Sequence, residues 1–401
     1  MPDYPEIQLK AGREKSLARM HPWVFSGAIG HVEGRPEAGS TVRISSSSGE
    51  FLAYAAYSPS SQIRARAWTF DPACSVDEAF IRQRISGAVD MRRQLGLLDE
   101  RGACRLVFSE SDGLPGLVVD AYAGHLVCQF LSAGAEFWRD AIIRGLEECL
   151  SPRSMHERSE AGVRRKEGLD ARRGLLRGEA PDGPVGFMVS GMRLLIDLGE
   201  GQKTGAYLDQ QLNHPRVAGY AKDGKALDAY SYSGGFAIAA LRHGANSATL
   251  IDSSADALKL AERQAVLNEV ESRCRYVNGN VPEELRKMRD AGERFDLVVL
   301  DPPKFVSSAQ QLKSGCRGYK DINMLGMQLL NPGGILATFS CSGHVSADLF
   351  QKIVAGAAVD VKCDVQILER LTQSPDHPVA LHFPEADYLT GLVLRIAGPA
   401  R

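Results

Sequence analysis

The chain has 401 residues, of which 44% are hydrophobic, 24% charged and 7% aromatic, and its formal net charge is −2 at pH 7. The length predicts two or three domains, and the composition is ordinary for a folded globular protein. A net charge so close to zero excludes nucleic-acid binding driven by the charge of the whole chain, so any such role needs a local basic surface.

The apolar runs and the cysteines indicate the compartment. No run approaches the roughly 20 apolar residues that a membrane helix requires, and the start of the chain does not resemble a signal peptide. The eight cysteines are scattered without CxxC pairs. We therefore expect a cytoplasmic protein with reduced thiols and without membrane contact, disulfide bonds or a metal site.

Residues 1–72 contain short alternating runs separated by segments rich in Gly, Ser and Pro, which is typical of a small all-β domain. In the run QIRARAW at 62–68, Arg64 and Arg66 alternate with apolar residues. Because side chains along a strand point alternately to its two faces, one face would carry both guanidinium groups.

Residues 73–184 mix two patterns, which predicts an α+β middle domain. Helical spacing of apolar residues covers 76–98 and 136–150, and β-like runs cover 105–122 and 125–132.

Residues 153–177 are a candidate for a local basic surface. They contain eight Arg or Lys and four Asp or Glu, which gives a local balance of +4. A solvated loop and an arm that contacts phosphates both explain this composition. In the second interpretation, Arg164 and Arg165 contact nucleic acid.

From residue 185 onward, strand patterns alternate with amphipathic helix patterns. This alternation predicts βαβ units and a mostly parallel, doubly wound α/β sheet over 185–401. Ligands of such sheets bind beyond the carboxyl ends of the strands, so the residues that follow each strand pattern are the first candidates for function.

Two of these strand ends predict a nucleoside site. Asp228 precedes a turn composed of Tyr230, Ser231, Tyr232, Ser233, Gly234 and Gly235. The turn lacks GxGxxG spacing, which disfavours a nicotinamide cofactor. Asp252 follows 24 residues after Asp228, close to the spacing at which an acidic side chain meets a ribose hydroxyl. Asn268 and Asn280 are candidates for adenine contacts, because an amide both donates and accepts hydrogen bonds.

The other two strand ends predict the reactive groups. Asp301 and Lys304 lie in VVLDPPKF, where two prolines fix the backbone and aim Asp301 at a substrate. Cys341 follows the strand pattern GGILATFS, which places its sulfur in the same cleft as Asp301. Polar neighbours on both sides of Cys341 mean that its thiol gains little from burial.

Together these motifs resemble the class I S-adenosylmethionine-dependent RNA methyltransferases. The chain is most similar to the bacterial large-subunit (23S) rRNA 5-methylcytosine methyltransferase family that carries an N-terminal PUA domain. The resemblance runs nearly end to end, through GREKSLARMHPWVFSGAI (12–29), SESDGLPGLVVDAY (109–122), ERSEAGVRRKEGL (157–169), KTGAYLDQQLN (203–213), DAYSYSGGF (228–236), DPPKF (301–305), CRGYKDIN (316–323), FSCSG (339–343) and DHP (376–378).

The resemblance implies a PUA-like RNA-binding β-barrel at 1–72, a middle domain at 73–184 and a Rossmann-like methyltransferase domain at 185–401. It also implies that 203–213 closes over S-adenosylmethionine. With the residues derived above, the predicted cofactor site comprises Lys203, Tyr207, Asp228, Tyr230, Ser231, Tyr232, Ser233, Gly234, Gly235, Asp252, Asn268, Asn280 and Asp301. Predicted contacts to substrate RNA are Lys304, Arg317, Tyr319, Lys320, Arg64, Arg66, Arg164 and Arg165.

This sequence departs from the family pattern at two positions of the cofactor site. The family usually has Asp where Asn280 stands, which bears on the adenine contact. It usually has two aromatic residues after KTG, whereas this chain has Ala206 before Tyr207, which bears on the aromatic wall.

The family chemistry gives Cys341 a role as nucleophile. A thiolate that adds to carbon 6 of cytosine makes carbon 5 able to accept a methyl group. Asp301 would stabilise the adduct at N3 by a hydrogen bond or by proton donation, and a general base that we do not assign removes the carbon-5 proton. Lys304 or the sulfonium charge would lower the pKa of the thiol below its free value of about 8.5.

Three other interpretations remain open from the sequence. The chain could be a nitrogen methyltransferase acting on an rRNA purine, an RNA-binding ribosome-assembly factor without activity, or a nicotinamide oxidoreductase. In the favoured interpretation the partner is 23S rRNA or a precursor of the large ribosomal subunit, and the family likeness suggests a homodimer.

Overall fold

A computed structural model of the chain describes residues 4–159, 161–199 and 206–399. The chain divides into two compact units, of which the first comprises Met1–Phe187, Ile196–Leu208 and Pro375–Ala386 and the second Met188–Leu195, Asp209–Ser374 and Asp387–Arg401. Within the described ranges, every helix is too short or too polar to cross a membrane. The same ranges contain no cluster of His, Cys, Asp and Glu that could hold a metal ion.

The first unit begins with a six-stranded sheet. Its elements are β1 (Glu6–Leu9), α1 (Lys15–Ala18), β2 (Trp23–Phe25), β3 (Ile29–Val32), β4 (Thr41–Ser45), β5 (Phe51–Tyr57) and β6 (Ile63–Thr69). The strand order is β2-β6-β5-β4-β1-β3, and the β1–β4 pair is parallel. The alternating pattern buries Ile7, Ile44 and Ala65 in one core, as expected for an all-β region. The Ser46 hydroxyl closes the β4–β5 turn by accepting from the N–H groups of Ser48 and Glu50.

The rest of the first unit is built on a five-stranded sheet. Its elements are α2 (Glu78–Gln94), β7 (Ala103–Phe108), β8 (Leu117–Tyr122), β9 (His125–Phe130), α3 (Ala133–Phe137), α4 (Arg139–Leu150), β10 (Ser154–Ser159), α5 (Ala161–Lys166) and β11 (Arg172–Gly178), with strand order β11-β10-β9-β8-β7. Helix α2 begins where Asp77 accepts a hydrogen bond of 2.9 Å from the Phe80 N–H. Both predicted helices and both β-like runs of this region are confirmed.

The interpretation of 153–177 as a solvated loop is wrong. This segment forms β10, α5 and β11, and β10 lies inside the sheet between β9 and β11. Met155 and Arg158 of β10 are buried, as are its remaining residues. The error arises because half of β10 is charged or imidazole-bearing, so it lacks the apolar signal of a buried strand.

A two-stranded sheet of β12 (Val185–Val189) and β13 (Met192–Ile196) comes next along the chain. The elements of the second unit that follow it are α6 (Asn213–Ala218), β14 (Lys225–Ala229), α7 (Gly235–Arg242), β15 (Ser247–Asp252), α8 (Ala255–Leu267), β16 (Cys274–Asn278), α9 (Val281–Asp290), β17 (Phe295–Leu300), α10 (Leu312–Gln328), β18 (Leu330–Ser340), α11 (Ala347–Asp360), β19 (Cys363–Leu371) and β20 (Thr390–Pro399).

The second unit is the predicted doubly wound α/β sheet. Its seven strands run in the order β16-β15-β14-β17-β18-β20-β19, and β16 through β18 pair in parallel. The last two strands pair antiparallel. The chain leaves β14 to one side for β15 and returns to its other side for β17, so a crevice is expected at the carboxyl ends of β14 and β17. The predicted domain boundaries at 72 and 184 fall between sheets and stay a prediction.

Candidate active site

The four strand ends singled out from the sequence lie at one edge of the sheet. Register pairs Ala229 of β14 with Leu300 of β17, and Leu300 with Thr338 of β18. The Asp301 N–H donates to the Ala229 carbonyl oxygen at 3.4 Å. The residues that follow β14, β17 and β18 are therefore neighbours, as predicted.

The turn after β14 has an unusual backbone. Tyr230 and Tyr232 have φ values of 65° and 46°, in the left-handed region that residues other than glycine rarely occupy. The Tyr232 N–H donates to Asp252 Oδ2 at 2.8 Å, and the Ser231 N–H donates to the Ile251 carbonyl oxygen at 3.0 Å. These bonds to β15 hold a strained turn, and such strain concentrates at ligand sites.

Gly234 allows this turn to pack against the sheet. Its φ is +83°, and a Cβ at this position would lie 2.9 Å from Leu250 Cδ2 and 3.2 Å from the Cβ of Ala261. The positive φ favours glycine, and any Cβ here would also force the Leu250 and Ala261 side chains to shift.

Three buried oxygens at this turn lack hydrogen-bond partners among the described residues: Asp228 Oδ1, the Tyr230 hydroxyl and Ser231 Oγ. The other Asp228 oxygen accepts from the Ala237 N–H at 2.9 Å. Burial and the nearby Asp252 carboxylate raise the pKa of Asp228 to about 7, against the lowering effect of the Ala237 hydrogen bond. Because buried polar atoms are rarely left unpaired, these oxygens fit a ligand that presents N–H or O–H donors.

Asp252 ends β15 and is fixed by two backbone donors. Its Oδ1 accepts from the Ser254 N–H and its Oδ2 from the Tyr232 N–H, both at 2.8 Å. Each carboxylate oxygen can accept a second hydrogen bond, so the group remains able to bind ribose hydroxyls. Asn280 is exposed and caps helix α9, where its side-chain oxygen accepts from the Glu283 N–H at 3.3 Å.

Asp301 lies at the centre of the site. Gln210 Nε2 donates to its Oδ2 at 3.1 Å. Burial raises the pKa of Asp301 to about 8, with the Asp209 and Asp228 carboxylates also raising it and the Gln210 hydrogen bond lowering it. The side chain keeps some exposed surface, so it can both hold a proton near neutral pH and reach a ligand.

Cys341 is half-buried directly after β18 and lies against the loop that carries Asp301. Its Sγ is 3.9 Å from the Pro302 carbonyl oxygen. The next residue, Ser342, joins the two loops, because its hydroxyl accepts from the Val306 N–H at 3.3 Å and hydrogen bonds with the Tyr319 hydroxyl at 2.9 Å. The thiol and the Asp301 carboxyl group thus lie on two neighbouring loops that hydrogen bonds of Ser342 hold together.

Family models match both parts of the chain. A model described as a PUA-like domain matches residues 7–70, and one described as an S-adenosylmethionine-dependent methyltransferase matches 165–395. The chain belongs to the S-adenosylmethionine-dependent methyltransferase family. The predicted cofactor and fold class are confirmed, and a nicotinamide oxidoreductase is disfavoured.

Individual relatives of this methyltransferase agree with the family models. The chain is 47% identical over 396 residues to a protein of Salmonella newport named ribosomal RNA large subunit methyltransferase I, and the alignment covers 98% of both chains. A structure from Streptococcus mutans, described as a SAM-dependent methyltransferase, matches with a TM-score of 0.83 at 18% identity over 98% of this chain and all of that one. Another methyltransferase structure, complexed with S-adenosylhomocysteine, gives a TM-score of 0.84 at 18% identity over the same shares. These two likenesses show the fold.

One predicted cofactor residue of this methyltransferase is engaged elsewhere in the structure, and the roles of the others stay predictions. Asn268 is buried, and both hydrogens of its amide are used: it donates to the carbonyl oxygens of Arg193 and Gln264, and its side-chain oxygen accepts from the Arg193 N–H at 3.0 Å. Its predicted adenine contact is therefore wrong, because the buried amide has no hydrogen left to donate and is held against other parts of the protein. Tyr207 is 43% exposed, and Lys203 lies outside the described residues.

Two predicted arginine contacts to RNA are contradicted by burial. Arg66 is 8% exposed and pairs with Glu167 at 2.9 Å and with Glu110 at 3.6 Å. Arg164 is 1% exposed and pairs with Glu136 at 2.7 Å. Both guanidinium groups are already neutralised by carboxylates inside the first unit, so a phosphate could reach them only if a buried ion pair broke.

Tyr319 is likewise not an RNA contact, since it is completely buried and braces Ser342. Two further residues predicted to contact RNA already have partners inside the protein. Lys320 pairs with Asp360 at 2.8 Å, and the Arg64 guanidinium contacts the Pro59 carbonyl oxygen. The exposed members of the predicted RNA set are Lys304, Arg317 and Arg165.

Sequence reasoning missed the residues around Asp301 that precede helix α6. Asp209 and Gln210 lie in the segment KTGAYLDQQLN, which was interpreted only as a lid over the cofactor. Four polar residues among Asp209 to Asn213 were a detectable signal, because such a run is unusual where the backbone is mostly buried.

Proposed function

We propose that this chain methylates carbon 5 of a cytosine in large-subunit (23S) ribosomal RNA, with S-adenosylmethionine as methyl donor and Cys341 as the covalent nucleophile. The observation that carries the proposal is the thiol of Cys341 braced against the Asp301 loop at the cofactor edge of the sheet. The 47% identical relative is named ribosomal RNA large subunit methyltransferase I, which supports large-subunit rRNA as the substrate class.

Carbon 5 of cytosine is a poor nucleophile, and Cys341 overcomes this difficulty. The thiolate forms a bond to carbon 6, and the electrons of the 5,6 double bond become available at carbon 5. Carbon 5 would then take the methyl group, with cleavage of its bond to the sulfonium sulfur and release of S-adenosylhomocysteine. Removal of the carbon-5 proton by a base drives elimination of the thiolate and restores the double bond. Methylation of an exocyclic nitrogen would need no such thiol.

Asp301 has the chemistry to stabilise the adduct. Addition of the thiolate to carbon 6 places negative charge on the N3 and O2 edge of the base. A neutral carboxyl group can donate a proton or a hydrogen bond to N3 and take it back during elimination. The pKa of about 8 means that most Asp301 side chains carry the necessary proton at neutral pH.

The remaining polar groups of the strand ends suit the cofactor. Bound S-adenosylmethionine supplies an electrophilic methyl group on a positively charged sulfur. Asp252 would hold its ribose, while Asp228 Oδ1 and Ser231 Oγ, which lack partners among the described residues, would accept from its donors. The carboxylate of Asp252 also favours the positive charge of the ligand.

RNA would be bound by exposed basic residues and by the PUA-like domain at 7–70. Lys304 lies beside the reactive loop and Arg317 on α10, whereas Arg165 lies on α5 of the first unit. Because these three cations form no ion pair with any residue that the structure describes, they are available to neutralise phosphates. The target cytosine must leave its stack before Cys341 can reach carbon 6.

The test supplies purified protein with methyl-labelled S-adenosylmethionine and unmodified large-subunit rRNA, followed by digestion and identification of the labelled nucleoside. We expect label in 5-methylcytidine, complete loss of label in Cys341→Ala, and normal labelling by the control Cys363→Ala. Label in a methylated purine, or in cytidine despite Cys341→Ala, would refute the proposal and favour a nitrogen methyltransferase.

A further inference from the structure

Two buried side-chain amides form a series of hydrogen bonds from the Thr372 carbonyl group to Asp301. Asn213 Nδ2 donates to the Thr372 carbonyl oxygen at 3.0 Å and to Gln210 Oε1 at 2.6 Å. Gln210 Nε2 then donates to Asp301 Oδ2 at 3.1 Å. Gln210 and Asn213 are each 2% exposed, so this series of hydrogen bonds is shielded from water.

The Thr372 carbonyl group fixes the direction of every hydrogen bond in this series. A backbone carbonyl can only accept, so Asn213 must present its NH₂ group to Thr372. The second hydrogen of that NH₂ group points to Gln210, which must accept it with its side-chain oxygen. Gln210 consequently presents its own NH₂ group to Asp301. The usual ambiguity between the two ends of an amide is removed by this connectivity.

The fixed direction has a consequence for a protonated carboxyl group. Asp301 Oδ2 accepts the Gln210 N–H, so it acts as the acceptor oxygen of the carboxyl group. A proton on Oδ2 would point at the hydrogens of the Gln210 NH₂ group. We propose that Gln210 is a positioning residue that keeps the Asp301 proton on Oδ1, the oxygen left for the substrate. Asn213 and the Thr372 carbonyl act through Gln210.

The charges around Asp301 are consistent with this arrangement. Asp209 and Asp228 face it and raise its pKa, while Gln210 lowers it by bonding to the ionised form. Asp209 itself accepts from the Tyr388 hydroxyl at 2.5 Å. His214 on α6 has a pKa lowered to about 4 by burial, so it adds no positive charge at neutral pH. Lys304 is exposed on the same loop as Asp301, and Cys341 lies on the neighbouring one.

The inference rests on the proposed function, because it assumes that Asp301 donates a proton to the base. Two substitutions of Gln210 test it through the pH dependence of kcat. Gln210→Met removes the donor and keeps the volume. Gln210→Glu keeps the acceptor for Asn213 and places a second carboxyl group against Asp301.

The two variants are expected to move the alkaline limb of the kcat profile in opposite directions. Gln210→Met removes the hydrogen bond that lowers the pKa of Asp301. The alkaline limb therefore moves to higher pH by roughly one unit, the equivalent of one hydrogen bond to an ionised acceptor. In Gln210→Glu the facing carboxyls share one proton, so Asp301 donates only when both are protonated. The limb then moves down, and kcat at pH 7 falls at least tenfold.

Controls separate this inference from the proposed function. Gln351→Glu, an exposed site on α11, introduces the same charge and should leave the profile unchanged. Binding of S-adenosylmethionine should be retained in both Gln210 variants. If wild type produces 5-methylcytidine but both variants keep its profile, or shift it in the same direction, the inference is wrong and the function stands. If wild type produces another nucleoside, the function itself fails. Should Gln210→Met not fold, the direction of the shift in Gln210→Glu decides.

Discussion

At the scale of single residues, some groups of the site can be predicted from the sequence and others cannot. Asp228, Asp252, Asp301 and Cys341 each follow an apolar run, so a pattern of local residues is enough to predict their place at the sheet edge. Gln210 bonds to Asp301 across 91 positions of the chain. No local pattern encodes such a pairing, so the role of Gln210 required the fold.

The first prediction concerns the proton on Asp301. Its pKa is raised to about 8, so the protonated form predominates below this pH and is lost as pH rises through it. We expect kcat to fall along an alkaline limb near pH 8. Asp301→Asn should lower kcat by roughly 10²- to 10⁴-fold, the usual range for general acid–base catalysis, and should flatten that limb.

Single-turnover rates across pH 6 to 10 measure both effects, and Asp296→Asn is the control. Asp296 is the second residue of β17 and accepts hydrogen bonds from the Lys225 N–H and the Asn331 side chain, at the opposite end of the strand from Asp301. An Asp301→Asn enzyme with the rate and pH profile of wild type would exclude this carboxyl group as the proton donor.

At the scale of elements, regular patterns were easier to predict than charged ones. Helices α2 and α4 and the βαβ alternation were predicted because apolar residues recur at helical or strand spacing. Strand β10 was missed because Arg158 and Glu157 are buried in it through ion pairs and hydrogen bonds with distant residues. The left-handed conformation of Tyr230 and Tyr232 was also invisible, since only glycine signals such a turn in a sequence.

The second prediction concerns the turn between β14 and α7. Gly234→Ala adds a Cβ at positive φ and 2.9 Å from Leu250. We expect the free energy of unfolding to fall by about 1–3 kcal/mol, and binding of S-adenosylmethionine to weaken because the turn must shift. Urea unfolding and calorimetric titration measure the two effects.

Gly87→Ala is the matched control for this turn. Gly87 lies inside helix α2, without positive φ and with open space where its Cβ would stand. Its replacement should raise the free energy of unfolding by roughly 0.5–1 kcal/mol. Equal stability of the two variants would show that the Gly234 turn carries no strain.

At the scale of the whole molecule, the net charge of −2 conceals two classes of basic residue. Arg66 and Arg164 are neutralised inside the first unit, whereas Arg165 is exposed. The sequence cannot separate these classes, because Arg164 and Arg165 are adjacent and differ only in which face of α5 they occupy. RNA binding therefore depends on fewer cations than the composition of 153–177 suggests.

The third prediction contrasts one residue from each class. Arg66→Ala leaves Glu167 buried without its ion pair and should lower the free energy of unfolding by about 3–5 kcal/mol. Arg165→Ala should leave stability unchanged, weaken RNA binding, and reduce the slope of log affinity against log salt by roughly 0.7–0.9. Denaturation curves and binding titrations at several salt concentrations measure these effects. A stable Arg66→Ala protein with weakened RNA binding would reverse the assignment.

The most direct test of the account is to trap the bond between Cys341 and its substrate. RNA in which the target cytosine carries fluorine at carbon 5 can be attacked and methylated, but no proton is present there for elimination. We predict a denaturation-resistant protein–RNA complex that needs S-adenosylmethionine, maps to Cys341 by mass spectrometry and is absent in Cys341→Ala. Efficient methylation of normal RNA without any trapped complex, or a complex on another cysteine, would contradict the proposed mechanism.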